Sequence, residues 1–398
     1  MRNAFNLLHV VPVFSNIFGG AVTVVKDITE ELAKRGHKVT IVTSDAKDRI
    51  HRVGTRYRVA NGVEIYYMKN LSMMTVKFLN YLFITPEISN FLESRLKEYD
   101  LIHMHSYRSY QNIVVYKYAK KYRIPYIVQP HGGVVRNIPH SVLKYMLKLV
   151  FDHAWGYKIL RDASKIIALC KDEERLLNAI GIPRNKIVVL PNGIDLTKLP
   201  SIPRGRFRSN YDIHDDAKIV LYVGRISPEK GLDFLLKSFV KLVKIHKENT
   251  VLVIVGPDMG YLQNIMRLAK MFGVDDKVIV VGPLPHDDRL FSAYADADIV
   301  VIPSEYEAFP KVVLEAYAYG KPIIATKTGA LKDVVLDGVT GFLVEYGDVE
   351  ALTEKMRLLI NDEHLTMSMG KAARKLVEQK FTLSKIVQKL EEVYRSAL

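Results

Sequence analysis

The sequence contains a single cysteine, Cys170, which rules out an internal disulfide framework and any zinc site built from several thiolates. A reducing cytoplasm is the compartment that fits. Long hydrophobic runs are missing as well: the longest apolar stretches are about 5–8 residues, the length of a strand, against the roughly 18 needed to cross a bilayer. A soluble or peripheral protein is expected. The opening segment MRNAFNLLHVVPVF has no small-residue cleavage site and reads as the first core strand of a mature chain rather than as a signal peptide. There is no GxGxxG fingerprint and no P-loop, which argues against dinucleotide and P-loop nucleotide chemistry, and no aromatic-basic module of the kind that reads nucleic acid. Acidic residues are in deficit, 43 against 57 basic ones, so the chain carries a net charge of +14 and should favour an anionic partner such as nucleotide phosphates or lipid headgroups.

What is present is a regular alternation of strands and helices. The 398 residues, 48% hydrophobic, suffice for two cores. FNLLHVVPVF reads as a strand, residues 21–35 repeat apolar positions at helical spacing up to Gly36, and KVTIVTS resumes as a strand, so the first unit is βαβ and its strands should be parallel. The pattern continues through LIHMHS (101–106), a helix around 109–122, PYIVQPHGG (125–133), a long basic helix near 139–160, KIIALC (165–170) and KIVVLPNG (186–193). A polar stretch over 195–216 reads as a linker. Beyond it come strands at 218–224, 251–256, 277–282, 298–304, 322–326 and 341–344 with helices between them, and helices fill most of 348–398. The fold class is therefore α/β, two Rossmann-like doubly wound domains facing across a cleft, with that cleft as the expected binding site.

Two clusters of charge stand out. Glu307 and Glu315 bracket EAFPKVVLE, the first in the loop above the strand DIVVIPS and the second in the second turn of a helix that Pro310 opens and Gly320 and Pro322 close. Carboxyl ends of strands are where open α/β sheets hold ligands, although spacing alone fits solvated surface charge equally well. In GRISPEKG, Arg225 follows a strand and Lys230 stands just before a helix, so both suit a diphosphate at the helix N-terminus. Two further spacings read as structural. Asp296-Ala297-Asp298 spans a helix end and a strand start, and His103 and His105 share one face of a strand with no third ligand nearby in sequence, so no metal is expected.

Taken in order, these segments resemble the retaining glycosyltransferases of family 4, which have the GT-B fold. Gly19-Gly20-Ala21 is similar to the family's glycine turn, His131-Gly132 to its central histidine, Pro191-Asn192-Gly193-Ile194-Asp195 to the segment leading to the linker, and Arg225 with Lys230 to its diphosphate-binding pair. Glu307 through Glu315 resembles its Glu, seven residues, Glu signature, continuing into EAYAYGKPIIAT and GALKDVVLDGVTGFLV. The resemblance implies an acceptor-binding domain over 1–200, a nucleotide-sugar-binding domain over 201–380, and a C-terminal helix, 381–398, packing back on the first. It implies donor contacts from Gly19, Gly20, Arg225, Lys230, Glu307, Ala308, Phe309, Pro310, Lys311 and Glu315. Within that set, Glu315 serves the ribose, Glu307 the transferred hexose, and His131 contacts the sugar. His131, Arg225, Lys230 and Glu307 carry the catalysis, with retention by front-face attack, no protein nucleophile and no metal or other cofactor. Pro310 and Thr328 depart from the family pattern; the first should only stiffen a helix start, whereas the second alters how closely the backbone approaches the donor and leaves the sugar open.

Other readings are separable. A glycosidase would need its two carboxylates flanking one glycosidic bond and has no use for Arg225 and Lys230. A sugar-nucleotide 2-epimerase of the same fold would turn over its substrate without an acceptor, and a non-catalytic binder of polyanions or membranes would not depend on Glu307 or Lys230. Part of the basic surplus lies in RIHRVGTRYR (49–58) and RNIPHSVLKYMLKLVFDHAWGYK (136–158). There Lys144 and Lys148 share a helical face beside Leu143, Met146, Leu147, Val150 and Phe151. That helix is either core-packed with a solvated stripe or an interfacial helix docking a cytoplasmic protein on the anionic inner face of the membrane, where a lipid-linked acceptor would be met.

Overall fold

A computed structural model describes residues 4–15, 20–48, 50–73, 83–134 and 142–398, with only the backbone of 142–144. The chain forms two compact units, Met1–Gly193 with Leu383–Leu398, and Ile194–Thr382.

The first unit is built on an eight-stranded sheet. Its strands are β1 (Asn6–Val13), β2 (Lys38–Ser44), β3 (Tyr57–Ala60), β4 (Val63–Met68), β5 (Leu101–His105), β6 (Tyr126–Gln129), β7 (Lys165–Ala168) and β8 (Ile187–Val189), in the order β3-β4-β2-β1-β5-β6-β7-β8. Every pairing is parallel except β3 with β4. β1, β5 and β6 are almost wholly buried because helices cover both faces of a parallel sheet, which explains their continuous apolar character. The β3-β4 hairpin goes beyond the sequence expectation. Asn61 and Gly62 turn it, both with positive φ, as a two-residue hairpin loop demands.

The helix Leu383–Ala397 belongs to this unit. Its Leu383, Ile386, Val387, Leu390, Val393 and Tyr394 recur at helical spacing and pack against β1, β2 and the helix Gly20–Lys34. A polar tie reinforces the seat. The Phe5 amide donates to His37 Nδ1 at 3.0 Å, so the proton of a neutral His37 sits on Nε2, 3.0 Å from Glu391 Oε1.

The second unit holds a six-stranded, all-parallel sheet in the order β11-β10-β9-β12-β13-β14. Its strands are β9 (Lys218–Val223), β10 (Thr250–Val255), β11 (Val278–Gly282), β12 (Ile299–Ile302), β13 (Ile323–Thr326) and β14 (Gly341–Val344). Both sheets reverse their strand order once, the first between β1 and β5 and the second between β9 and β12. In doubly wound folds the crevice outside the strand carboxyl ends at such a reversal is the ligand position.

The expected linker over 195–216 is corrected. Its second part is the helix Arg206–Asn210, and Phe207, Arg208 and Ile213 are buried in the second unit. Asp296 explains why a polar segment packs: its carboxylate accepts from the amides of Gly205 at 2.5 Å, Phe207 at 2.7 Å and Arg208 at 3.0 Å. Asp298 accepts from the Ile219 amide at 2.8 Å and pairs with Arg208 at 3.3 Å. The Asp-x-Asp motif thus spends its oxygens on backbone amides and a buried guanidinium.

The expected basic helix near 139–160 runs as Val142–Phe151, a wide turn Asp152–Gly156, and a helix Tyr157–Asp162. Its position is held by Asp152, which takes a bidentate pair from Arg108 at 2.8 and 2.7 Å. Met146, Leu147, Val150 and Trp155 are 52, 58, 58 and 39% exposed, so this side of the segment is not packed into the core. Among the described residues, no helix is long and apolar enough to cross a membrane.

Candidate active site

In the second unit the reversal point gathers three of the expected residues, Arg225, Lys230 and Glu307. β9 ends at Val223, and the chain passes Arg225 into the turn Pro228–Lys230 and the helix Leu232–Lys244. β12 ends at Ile302 and delivers Ser304 and Glu307 to the same edge. Lys230 Nζ lies 2.5 Å from Glu307 Oε1, both side chains being largely shielded, at 14 and 13% exposure. The Ser304 hydroxyl donates to the same oxygen at 2.7 Å. Oε2 of Glu307 accepts no hydrogen bond among the described residues, which leaves it open to a hydroxyl. Arg225 is more exposed and pairs with Glu229 at 3.5 Å.

Two glycines let these loops meet. Gly231 has φ +67°, and a Cβ there would lie 2.1 Å from the Pro303 carbonyl oxygen; Gly329 has φ +49°, and a Cβ there would lie 1.9 Å from the Glu307 carbonyl oxygen. That same carbonyl accepts from the Ala330 amide at 2.9 Å. The close approach to the Glu307 loop therefore rests on Gly329, one residue beyond the departing Thr328.

Glu315 occupies a different environment. It is 4% exposed on the helix Lys311–Ala318, with His286 Nε2 at 2.9 Å from Oε1 and the Tyr294 hydroxyl donating to Oε2 at 2.8 Å. Burial pushes its carboxyl up, but the hydrogen bond and charge of His286, the charge of Lys311 and the Tyr294 hydroxyl outweigh it and hold the group below the ordinary carboxylate range. Each oxygen keeps a second lone pair for another donor. Pro310 sits in extended backbone immediately before this helix, with φ −75°, so its ring is accommodated without strain. Ala308, Pro310 and Lys311 are half-buried beside it, whereas the Phe309 ring turns inward to pack, tilted, with its centroid 6.0 Å from that of Phe381 and anchors the loop.

In the first unit, Gly20 begins the helix Gly20–Lys34, and among the described residues a Cβ there would meet nothing within 4 Å. Gly19 lies outside the described residues. His131 follows β6 in a tight turn, with φ +52° at His131, +79° at Gly132 and the Gly133 amide donating to Pro130 at 2.9 Å. Glu173, buried, accepts from Gly132 at 2.7 Å and Leu169 at 2.8 Å and so clamps the turn onto the next loop. Its own carboxyl is raised by burial, against the pull of those two amides. His131 Nε2 lies 3.0 Å from His105 Nδ1, and burial pushes the His131 imidazole down to about 4.

Sequence reasoning missed Ser304, His286, Tyr294, Glu173 and His9. Ser304 carried a faint signal as the last residue of DIVVIPS. The others are distant in sequence and reach their partners only through the fold.

Two family profiles match in succession: Glycosyltransferase Family 4 over residues 18–198 and Glycosyl transferases group 1 over residues 203–376. An uncharacterized glycosyltransferase of Methanocaldococcus jannaschii is 27% identical over 399 residues, covering 96% of this chain and 95% of its own length. Among solved structures, sucrose-phosphate synthase from Thermosynechococcus elongatus shares the fold with a TM-score of 0.81 at 24% identity, over 99% of this chain and 98% of that one. HepE of Anabaena, crystallised with UDP-glucose, shares it with a TM-score of 0.78 at 20% identity, over 98% of this chain and 100% of that one. With one profile on each side of the junction between its two units, and a fold shared end to end with known glycosyltransferases, the chain belongs to the family 4 glycosyltransferases of GT-B fold.

Proposed function

We propose that the protein moves a hexosyl unit, with retention at the anomeric carbon, from a nucleoside-diphosphate sugar to a glycan or lipid-linked acceptor. The observation that carries this reading is the shielded Lys230–Glu307 pair at the reversal point of the second sheet, with one carboxylate oxygen left open. As the glycosidic bond to the diphosphate breaks, negative charge grows on the leaving phosphate and positive charge on the sugar ring. Arg225 and Lys230 stabilise the first, and a preorganised cation is worth most where charge develops. Glu307 Oε2 accepts a hydroxyl of the transferred sugar, and Glu315 takes the ribose hydroxyls. Ala308, Pro310 and Lys311 border the donor, and the Phe309 backbone follows it while its ring holds the loop. Gly19, the Gly20 amide and His131 are assigned to the same donor from the first unit, which also takes the acceptor. With two cations on the diphosphate, the reading calls for no metal.

UDP-glucose, bound by the Anabaena neighbour, is the first donor to try. Thermal-shift measurements against UDP-, GDP- and ADP-sugars test the reading, since a donor at 100 times its Kd stabilises by about 2.7 kcal/mol. No shift with any of them would sink it. Turnover of a UDP-sugar without acceptor would instead mark an epimerase.

The exposed Met146, Leu147, Val150 and Trp155, in a chain with a net charge of +14, support the further reading of a cytoplasmic protein lying peripherally on an anionic membrane. Binding to anionic vesicles at low salt, abolished by serine at 146, 147 and 150, is the expected outcome. Equal retention of the variant would refute it.

A further inference from the structure

Beneath the His131 turn lies a row of imidazoles that the reaction as described does not use. His105 Nδ1 is 3.0 Å from His131 Nε2, and His105 Nε2 is 3.0 Å from His9 Nδ1. His9 on β1 is the register partner of His103 on β5, and His103 Nδ1 lies 2.9 Å from the Tyr394 hydroxyl of the C-terminal helix. His9, His103 and His105 are at most 1% exposed. Burial holds all four rings below their ordinary range, so each carries one proton and is neutral.

Neutral imidazoles in a row can hydrogen-bond in only one sense at a time, each ring donating to the next and accepting from the one before. If protons point inward from His131, the chain ends with an N–H on His9 Nε2. If they point outward, it ends with a bare lone pair there. His9 Nε2 is buried and has no hydrogen-bond partner among the described residues. Orphaned buried N–H groups are the rarer fault, so the outward sense is favoured. His9 Nδ1–H then donates to His105 Nε2, His105 Nδ1–H donates to His131 Nε2, and the proton of His131 is left on Nδ1. That outer nitrogen makes no hydrogen bond among the described residues.

We propose that His9 and His105 are positioning residues that lock His131 in its Nδ1–H tautomer, presenting the outer nitrogen as a hydrogen-bond donor to an oxygen of the sugar donor. This rests on the reading of His131 as a donor-site residue. The backbone supplies the matching constraint: His131 is held at positive φ by the Glu173 clamp, so its ring direction is fixed from both ends. The rings of His9, His103 and His105 also offer nitrogens within 4.8 Å of one another, a spacing a cation can exploit. The two 3.0 Å contacts along the chain favour the relay, because a cation shared by His9 and His105 competes with the bond between them.

The test is histidine-selective 15N NMR of the full chain without substrate, which reads the tautomer whether or not the protein is a transferase. The expected result is a protonated Nδ1 on His131, retained in His105→Asn, whose amide replaces the Nδ1–H donor, and lost to a tautomer mixture in His105→Leu. With an active donor, kcat should fall about 10- to 100-fold in His105→Leu with KM little changed, and recover in His105→Asn. A proton on Nε2 of His131 in the wild type overturns the proposal, and this measurement stands even if His105→Leu does not fold. An unchanged tautomer in folded His105→Leu also overturns it. Stoichiometric Zn2+ retained through dialysis, with shifts of the His9 and His105 resonances, overturns it in favour of a metal site. Failure of every sugar nucleotide to bind, with the tautomer as expected, would remove the transferase reading and leave the relay standing.

Discussion

Lowering the pH from 7.5 to 5.5 should weaken the first unit through its buried imidazoles. Burial brings His9 down to about 3 and His131 to about 4, against an ordinary value near 6.5 that both regain on unfolding. The unfolded chain therefore binds more protons than the folded one over this window. The stability these rings contribute is complete above about pH 6.5 and is lost as the pH falls toward the folded values. One pH unit below 6.5, each ring that stays neutral in the fold costs about 1.4 kcal/mol relative to the unfolded chain, so His9 and His131 together cost about 3 kcal/mol at pH 5.5. His103 and His105, lowered by burial and by their histidine neighbours, act in the same direction. Against a total stability of about 5–15 kcal/mol the effect is large. Trp155, the single tryptophan, lies in the first unit, so urea denaturation followed by its fluorescence reports that unit. The variant His9→Gln should lose about 1.4 kcal/mol less than the wild type between the two pH values. A wild type equally stable at both, or a variant with an undiminished loss, would refute the reasoning.

Lys230→Ala removes the cation 2.5 Å from Glu307 and should lower turnover by about 10²–10³-fold, the loss typical of one preorganised charge-stabilising group; steady-state kinetics retaining a tenth of the activity would contradict it. Gly329→Ala must displace the Glu307 carbonyl, 1.9 Å from the new Cβ, and should cost about 1–3 kcal/mol by denaturant titration while abolishing the donor-induced thermal shift. Asp296→Ala strips acceptors from the amides of Gly205, Phe207 and Arg208 and should destabilise the second unit by about 3–5 kcal/mol in calorimetry. Divalent cations should leave wild-type turnover unchanged if, as proposed, Asp296 is structural; a Mn2+ requirement lost in Asp296→Asn would overturn that assignment.

Much of the fold was legible because its signals are local. The buried strands are short β-branched runs, the helices repeat at 3.6 residues, and Gly36 and Gly320 stop their helices in left-handed backbone. The β3-β4 hairpin is marked in sequence by little besides Asn61-Gly62, because β3 is a short, exposed strand among basic residues and shows no buried face. The segment 195–216 reads as linker for a different reason. Its composition is polar, and only the Asp296 carboxylate, nearly ninety positions on, gives its amides a reason to pack.

By itself the sequence determined that two doubly wound halves exist, and that Arg225, Lys230, Glu307 and Glu315 stand at or just beyond strand ends, since strand-to-helix transitions are written within a few neighbouring residues. Only the tertiary structure decided which groups meet. Lys230 and Glu307 are 77 residues apart, and His9 and His105 are 96 apart; each pair comes together because the sheet order sets β9 beside β12 and β1 beside β5. The same pairing supplies the third imidazole that spacing along β5 could not reveal. It also separates the two glutamates, giving one a lysine and the other a histidine and a tyrosine. Local periodicity specifies elements, whereas partner identity depends on sheet order, and sheet order is settled by burying both faces of each sheet at once.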